Sequence, residues 1–117
     1  MIVEPRKALR EQMRDSLEAK FDVLAAQTAS GALTGLSRHN PPAVLLSMQQ
    51  AEGNGLDLAI RLRDHGVGIP PFIVVYGRDE SVPDLALDVD LKARFGVDQY
   101  LATGVTTRKL EGILEIG

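Results

Sequence analysis

The sequence predicts an α/β fold, in which a single domain is built on a five-stranded parallel sheet with helices on both faces. Strand-like apolar segments alternate with helix-like amphipathic segments along the chain, an order typical of parallel strands joined by helical crossovers. The segment FIVVYG at 72–77 is continuous and β-branched, as in a strand that is buried on both faces. A length of 117 residues suits one domain with one core.

The elements follow from local patterns taken in order. The predicted strands cover residues 1–3, 21–26, 43–48, 72–77 and 99–104. The predicted helices cover 6–20, a segment that begins after Thr28, about 54–65, about 87–95 and 106–116. In the first helix, Leu9, Met13 and Leu17 recur every four residues and form one apolar face. Segment 78–95 carries both strand-like and helix-like spacings, so we predict a loop over 78–86 before its short helix.

Two further helices show one-sided apolar faces. Thr28 is a suitable N-cap for the second helix, whose Leu33 and Leu36 are predicted to face inward. The third helix is predicted to pack through an apolar set of four residues. They are Leu56, Ala59, Ile60 and Leu62.

Composition excludes several classes of function. The net charge is −3 and basic residues form no stripe, so we expect no direct nucleic-acid binding by this domain. No apolar run reaches the roughly 18 residues of a membrane span. The absence of cysteine rules out disulfides and thiolate metal sites. We therefore expect a cytoplasmic domain. Because the first predicted strand starts at Met1 and the last predicted helix stops at the end of the sequence, we also expect a domain cut from a longer multidomain protein.

The residues to examine follow the strands, because open parallel sheets bind ligands at the carboxyl ends of their strands. These positions hold the pairs Glu4-Pro5, Tyr76-Gly77 and Thr103-Gly104, together with the single residue Ser47. A serine at the end of the third strand raises the question of whether it is catalytic, modified, or the remnant of a lost chemistry.

Several stretches together resemble the receiver domain of bacterial two-component response regulators. They are IVEP at 2–5, PPAVLLSMQQAEGNGLDLAIRLR at 41–63, PFIVVYG at 71–77 and GVDQYLATGV at 96–105. The resemblance covers nearly the whole chain and implies a doubly wound, flavodoxin-like (βα)5 fold. Without gaps, Ser47 falls on the phosphoacceptor position and Gly55 on the family's glycine.

The chemical positions depart from the family's pattern. The resemblance implies that two acids and an aspartate hold Mg²⁺, that the aspartate is phosphorylated, and that a hydroxyl and a lysine bind the phosphoryl oxygens. This chain instead has Glu4 and Pro5 at the acidic pair, Ser47 at the phosphoacceptor, Tyr76 at the hydroxyl and Thr103 at the lysine. We expect a degenerate phosphorylation site with no catalytic residue, metal or cofactor, that is, a pseudo-receiver and not an enzyme.

The missing groups matter for physical reasons. Mg²⁺ prefers several oxygen ligands, usually carboxylates, and Glu4 alone remains. A serine hydroxyl such as that of Ser47 attacks phosphorus only when a base activates it, and neither His39 nor His65 follows a strand. In the purely structural interpretation, Ser47 is a polar residue that hydrogen-bonds a strand end. Tyr76 then fills the pocket that a phosphoryl group would occupy.

The remaining function is surface recognition. The resemblance implies an output face made of helix four, strand five and helix five, which binds a protein partner or a second copy. In this chain the face would include Tyr100, Leu101 and Lys109. Tyr100 matches the family's switch aromatic and is either fixed in one state or an interface residue.

Two alternatives stay open. One is a pseudo-receiver that senses a small molecule at the strand ends near Ser47 and Tyr76. The other is a working receiver with a displaced acceptor, for which Asp57 and Asp79 are the acids to test.

Overall fold

The computed structural model describes residues 1–51, 53–65, 71–78 and 90–101. Strands and helices alternate there, and five parallel strands form one sheet in the order β2-β1-β3-β4-β5. The strands are β1 (Ile2–Val3), β2 (Ala25–Ala26), β3 (Ala43–Ser47), β4 (Phe72–Tyr76) and β5 (Gln99–Leu101). The helices are α1 (Lys7–Leu17), α2 (Ala29–His39), α3 (Gly55–His65) and α4 (Leu91–Phe95). The predicted fold class is confirmed, and the helix predicted over 106–116 lies outside the described residues.

The core has two layers, one on each face of the sheet. Val44 and Val75 face a cluster that includes buried residues of α2 and α3. Leu45 and Val74 face the other cluster, which contains the buried residues of α1. Because successive side chains of a strand point to opposite faces, β3 and β4 read as continuous apolar runs. The prediction that the fourth strand is buried on both faces is confirmed.

The helices bury the predicted faces with one exception. Met13 and Leu17 of α1 are buried, and so is Leu36 of α2. The Thr28 hydroxyl accepts a hydrogen bond from the Gly31 amide at 3.1 Å, as expected of an N-cap.

The exception is α3. Leu58 is 3% exposed and belongs to the buried face, whereas Ile60 is only half-buried. Ile60 was predicted to belong to the packing face of this helix, but it is part of neither core cluster. Leu56, Ala59 and Leu62 are buried as predicted.

Three predicted boundaries were wrong. The first helix was predicted over 6–20 and ends at Leu17. The second strand was predicted over 21–26, but only Ala25–Ala26 pair with β1. The chain turns first, because the Lys20 and Phe21 amides both donate to the carbonyl oxygen of Leu17. The fourth helix was predicted from about residue 87 and begins at Leu91, because the Asp90 side chain accepts from the Ala93 amide and caps it there.

Candidate functional site

The sheet register brings three of the predicted site residues together at its carboxyl edge. Val3 pairs with Leu46, so that the next residues along β1 and β3 are Glu4 and Ser47. Ser47 pairs with Tyr76 of β4. Glu4, Ser47 and Tyr76 therefore end three neighbouring strands, as the sequence predicts for a parallel sheet.

The Glu4 carboxylate is the chemical centre of this edge. Glu4 is 0% exposed, although it carries a charge. The Arg6 guanidinium binds it through both oxygens, with Nη2 2.8 Å from Oε1 and Nε 3.2 Å from Oε2. The Arg6 backbone amide donates to Oε2 at 3.0 Å, and the Tyr76 hydroxyl donates to Oε1 at 3.1 Å. A buried charge must be neutralised and hydrogen-bonded, and the contacts from Arg6 and Tyr76 do both for Glu4.

The donors leave little of that carboxylate available. An ionised carboxylate offers about four lone-pair sites for hydrogen bonds or metal. Four donor groups already point at the oxygens of Glu4, three from Arg6 and one from Tyr76. A cation arriving at Glu4 would have to displace the Arg6 guanidinium, which supplies a positive charge from within the chain.

The same contacts fix the protonation states of the two partners. Burial raises the pKa of the Tyr76 hydroxyl well above the ordinary value of 10.0, and the neighbouring Glu4 charge raises it further. The hydrogen bond to Glu4 raises the pKa of Arg6. Tyr76 therefore stays a neutral donor and Arg6 a cation throughout the physiological range.

Ser47 is held within the strand end. It is 0% exposed, and its hydroxyl oxygen accepts a hydrogen bond from the Gln49 amide at 3.2 Å. The Gln50 side-chain amide donates to the Ser47 carbonyl at 2.8 Å, while the Gln50 Oε1 is buried without a hydrogen-bond partner among the described residues. Ser47 has the bonds of a polar residue at a strand end.

The loop after β3 folds back tightly against the strand. Asn54 caps α3, since its Oδ1 accepts from the Leu56 amide at 2.9 Å and from the Asp57 amide at 3.0 Å. A Cβ at Gly55 would lie 2.7 Å from the Ser47 carbonyl oxygen and 2.9 Å from the Met48 Cα. A glycine is therefore required at residue 55 for the helix to start this close to the strand.

On β5, Tyr100 is half-buried against the core cluster that contains α2 and α3. Its hydroxyl donates to the Gly77 carbonyl oxygen at 2.6 Å, which ties β5 to the turn after β4. Leu101 is 5% exposed and belongs to the other core cluster, so its side chain is not offered to a partner in this conformation. Of these two residues expected on the output face, only Tyr100 is partly accessible.

The other expected site residues are not part of this cluster. Pro5 is half-buried at the bend after β1, and its carbonyl accepts from Arg10 at 3.3 Å. Asp57 is exposed in the first turn of α3. Thr103 and Lys109 lie outside the described residues, as does Asp79. Within the described ranges, no group of three or more His, Cys, Asp or Glu side chains is arranged to hold a metal ion.

Sequence reasoning missed two residues that complete the site, Arg6 and Gln50. Arg6 lies two residues after the lone acid Glu4, close enough for its amide and guanidinium to reach that carboxylate, but the sequence does not show that Glu4 is buried. Gln50 gave no comparable signal, because its role depends on how the loop folds back toward β3.

No helix in the described part of the chain is long and apolar enough to span a bilayer.

No family model matches the chain. The chain is 31% identical over 102 residues to the response regulator MprA of Mycobacterium sp. strain KMS, a match that covers 86% of this chain and 42% of that protein. The chain thus spans about two fifths of the curated relatives it matches.

Solved structures share the fold at low sequence identity. A CheY-like response regulator receiver domain from Methylobacillus flagellatus superposes with a TM-score of 0.80 at 22% identity, covering 98% of this chain and 93% of that one. A two-component response regulator from Clostridium difficile gives a TM-score of 0.78 at 18% identity, covering 98% and 90%. The sequence similarity and the shared fold together support the assignment of this chain as a response regulator receiver (CheY-like) domain.

Proposed function

We propose that this receiver domain signals without phosphorylation, through constitutive contact with a protein partner or with a second copy of itself. The proposal combines two parts. The first is that the site at the carboxyl edge does not accept a phosphoryl group. The second is that the face formed by helix four, strand five and helix five makes the contact, with Tyr100 and Lys109 among its residues.

The observation that carries the first part is the saturation of Glu4. Phosphoryl transfer to a receiver needs a divalent cation, and Mg²⁺ is held by carboxylates and water with strict geometry. Glu4 is the surviving acid of the pair, and its two oxygens receive four hydrogen bonds from Arg6 and Tyr76. Arg6 thus takes the place of the cation, and Pro5 brings no second carboxylate.

The nucleophile is also unsuited to the reaction. A serine hydroxyl needs a base to remove its proton. Ser47 is 0% exposed, and its oxygen accepts from a backbone amide. His65 instead contacts the Ser37 hydroxyl at 2.9 Å, in the groove between α2 and α3. Nothing among the described residues activates Ser47.

The second part rests on Tyr100 and α4. The bond from the Tyr100 hydroxyl to the Gly77 carbonyl oxygen holds the ring half-buried against the core. Next to it, α4 has no buried residue and exposes Lys92 and Arg94. We infer that this face keeps one conformation and is permanently available to its partner.

The two alternatives receive less support. A small ligand beside Ser47 and Tyr76 would need space, and these side chains are 0% and 2% exposed. A displaced acceptor at Asp57 would lie on the exposed first turn of α3, whereas Glu4 is buried at the end of β1. The structure offers no description of Asp79.

A phosphoryl-donor challenge tests the proposal. The 117-residue chain, Ser47→Ala and Ser47→Asp are incubated with Mg²⁺ and acetyl phosphate and then weighed by mass spectrometry. We expect no phosphoryl adduct on any of them, including Ser47→Asp, because restoring the acceptor leaves the Glu4 oxygens occupied. Restoring the family pattern at Pro5, Ser47, Tyr76 and Thr103, together with Arg6→Met to remove the guanidinium from the Glu4 oxygens, provides the variant expected to gain an adduct. A stoichiometric adduct on the wild-type chain would refute the proposal.

A further inference from the structure

A groove between α2 and α3 carries charge of one sign. Residues 23–51 contain no Asp or Glu, so the loop before α2, α2 itself and β3 present no acidic side chain. The groove has two adjoining lobes of about 350 and 310 Å³ that share Ser30 and Arg61 as lining residues. No acidic residue lines either lobe among the described residues, and Arg38 joins Arg61 in one of them.

The polar groups of the groove are arranged in register. Ser30, Thr34 and Ser37 follow the i, i+4, i+7 spacing of one helix face on α2. Arg61 and His65 are one turn apart on α3, and the His65 Nε2 lies 2.9 Å from the Ser37 hydroxyl across the groove. Hydroxyl groups and cations thus face the same space from both helices.

The two arginines are available for a partner. Among the described residues, neither the Arg38 nor the Arg61 guanidinium takes part in a hydrogen bond or an ion pair, and both residues are exposed. Some other exposed cations are engaged, as Arg14 is with Glu18 at 2.8 Å. The nearest acids on α3 are Asp57, one turn before Arg61, and Asp64, which pairs with Arg63 at 3.4 Å.

The chain has a segment of opposite charge. Residues 79–90, DESVPDLALDVD, contain five acids and no basic residue. Although the net charge is only −3, the charges are separated along the chain. Residues 23–51 carry no acid and residues 79–90 carry no base. Complementary patches of this kind attract each other and set the orientation of an encounter.

We propose that the α2–α3 groove binds the acidic segment 79–90 of a second copy of this chain. Each copy then offers a groove to one neighbour and a segment to another, which makes the contact heterologous (head to tail). The carboxylates accept hydrogen bonds from the Arg38 and Arg61 guanidinium groups and from the α2 hydroxyls.

A peptide titration tests the groove. A synthetic peptide of residues 79–90 is added to the 117-residue chain while its amide NMR spectrum is recorded. We expect shifts at Ser30, Thr34, Ser37, Arg61 and His65, weakening as salt is raised. Neutralising both arginines in Arg38→Gln/Arg61→Gln is expected to weaken binding by about fivefold to thirtyfold, the sum of two exposed ion pairs. Lys7→Gln/Arg14→Gln removes the same two charges from α1 and is the control expected to leave binding unchanged.

A complementation experiment tests the occupant. A second variant carries Asn or Gln in place of the five acids of segment 79–90. Sedimentation equilibrium is expected to show that neither this variant nor Arg38→Gln/Arg61→Gln self-associates. An equimolar mixture of the two is expected to form heterodimers, because Arg38→Gln/Arg61→Gln supplies the segment and the acid-neutralised chain supplies the groove. A wild-type chain that stays monomeric at millimolar concentration overturns the proposal. So does a groove that responds to inorganic phosphate or a DNA oligonucleotide but not to the peptide.

Discussion

Replacing Arg6 with Met would leave the Glu4 carboxylate buried without its cation. The substitution removes two guanidinium hydrogen bonds, of 2.8 and 3.2 Å, and keeps the Arg6 amide and the Tyr76 hydroxyl as donors. Methionine keeps the length and apolar stem of the side chain, so that the change is mainly one of charge. Breaking a fully buried ion pair by removing one partner costs about 3–5 kcal/mol.

The expected cost here is smaller, because the two partners are buried unequally. The Arg6 side chain is 51% exposed and the Glu4 side chain 0% exposed. Water can therefore reach the carboxylate from the side that Arg6 vacates and replace part of its hydrogen bonding. We expect Arg6→Met to lower the free energy of unfolding by about 1–3 kcal/mol. Arg14→Met, which removes an exposed pair with Glu18, is expected to cost about 0.5 kcal/mol or less.

Urea unfolding of a double-mutant cycle with Glu4→Gln measures the coupling. In the wild-type background, Glu4→Gln loses a charge-assisted interaction and is expected to destabilise. In the Arg6→Met background, the same change removes an uncompensated charge and is expected to be neutral or stabilising. If the two single costs simply add, Glu4 and Arg6 are not coupled and the reasoning about the carboxylate is refuted.

Three further substitutions probe the same edge of the sheet. Tyr76→Phe removes a hydrogen bond to a buried carboxylate and is expected to cost about 1–2 kcal/mol in urea unfolding. The pKa of Tyr76 is raised above its ordinary 10.0, so the stability that this group contributes is full below pH 10 and falls as the pH rises further. Above about pH 10, the wild-type chain should therefore lose stability more steeply than Tyr76→Phe. Equal dependence of the two unfolding free energies on pH would contradict this. Gly55→Ala places a Cβ 2.7 Å from the Ser47 carbonyl oxygen and should lower the thermal midpoint through a cost of about 2 kcal/mol, whereas an unchanged midpoint would mean that the loop relaxes freely. Tyr100→Phe removes the bond to the Gly77 carbonyl, and we expect a cost of about 1 kcal/mol with amide shifts confined to β5 and the turn after β4; shifts at Glu4 would contradict the separation of the two contacts.

The sheet and its carboxyl edge were predictable from the sequence. The spacing of apolar residues identifies the strands, and the residue that follows each strand lies at the carboxyl edge. The apolar runs of β3 and β4 identify buried parallel strands, and parallel strands place Glu4, Ser47 and Tyr76 side by side. The amphipathic spacing of α1 likewise identified Met13 and Leu17 as core residues. These features depend on local patterns that tertiary contacts do not alter.

The misplaced boundaries depend on contacts that spacing does not encode. The second strand is short because the chain after Leu17 turns back on that residue's carbonyl oxygen, which leaves two residues free to pair with β1. The fourth helix begins at Leu91 because the Asp90 side chain competes for the amide of Ala93. In both cases one local hydrogen bond overrides an apolar pattern.

The central contact of the site was not predictable for a similar reason. In the sequence, a single acid such as Glu4 is expected to be solvated. The fold instead buries it, and a buried charge requires a partner of opposite charge. The bidentate contact with Arg6 depends on how the chain bends after β1, and the Tyr76 hydroxyl bond comes from a strand end 72 residues away in sequence.

The most direct test of the account is an amide NMR titration of the 117-residue chain, first with Mg²⁺ and then with Mg²⁺ and beryllofluoride as a phosphoryl mimic. The account predicts an unchanged spectrum at millimolar concentrations, because Arg6 and Tyr76 occupy the Glu4 oxygens and Ser47 is no acceptor. Saturating shifts at Glu4, Ser47 and Tyr76 that extend to Tyr100 would contradict it, since they would mean that the site binds the cation and transmits a phosphoryl signal to β5.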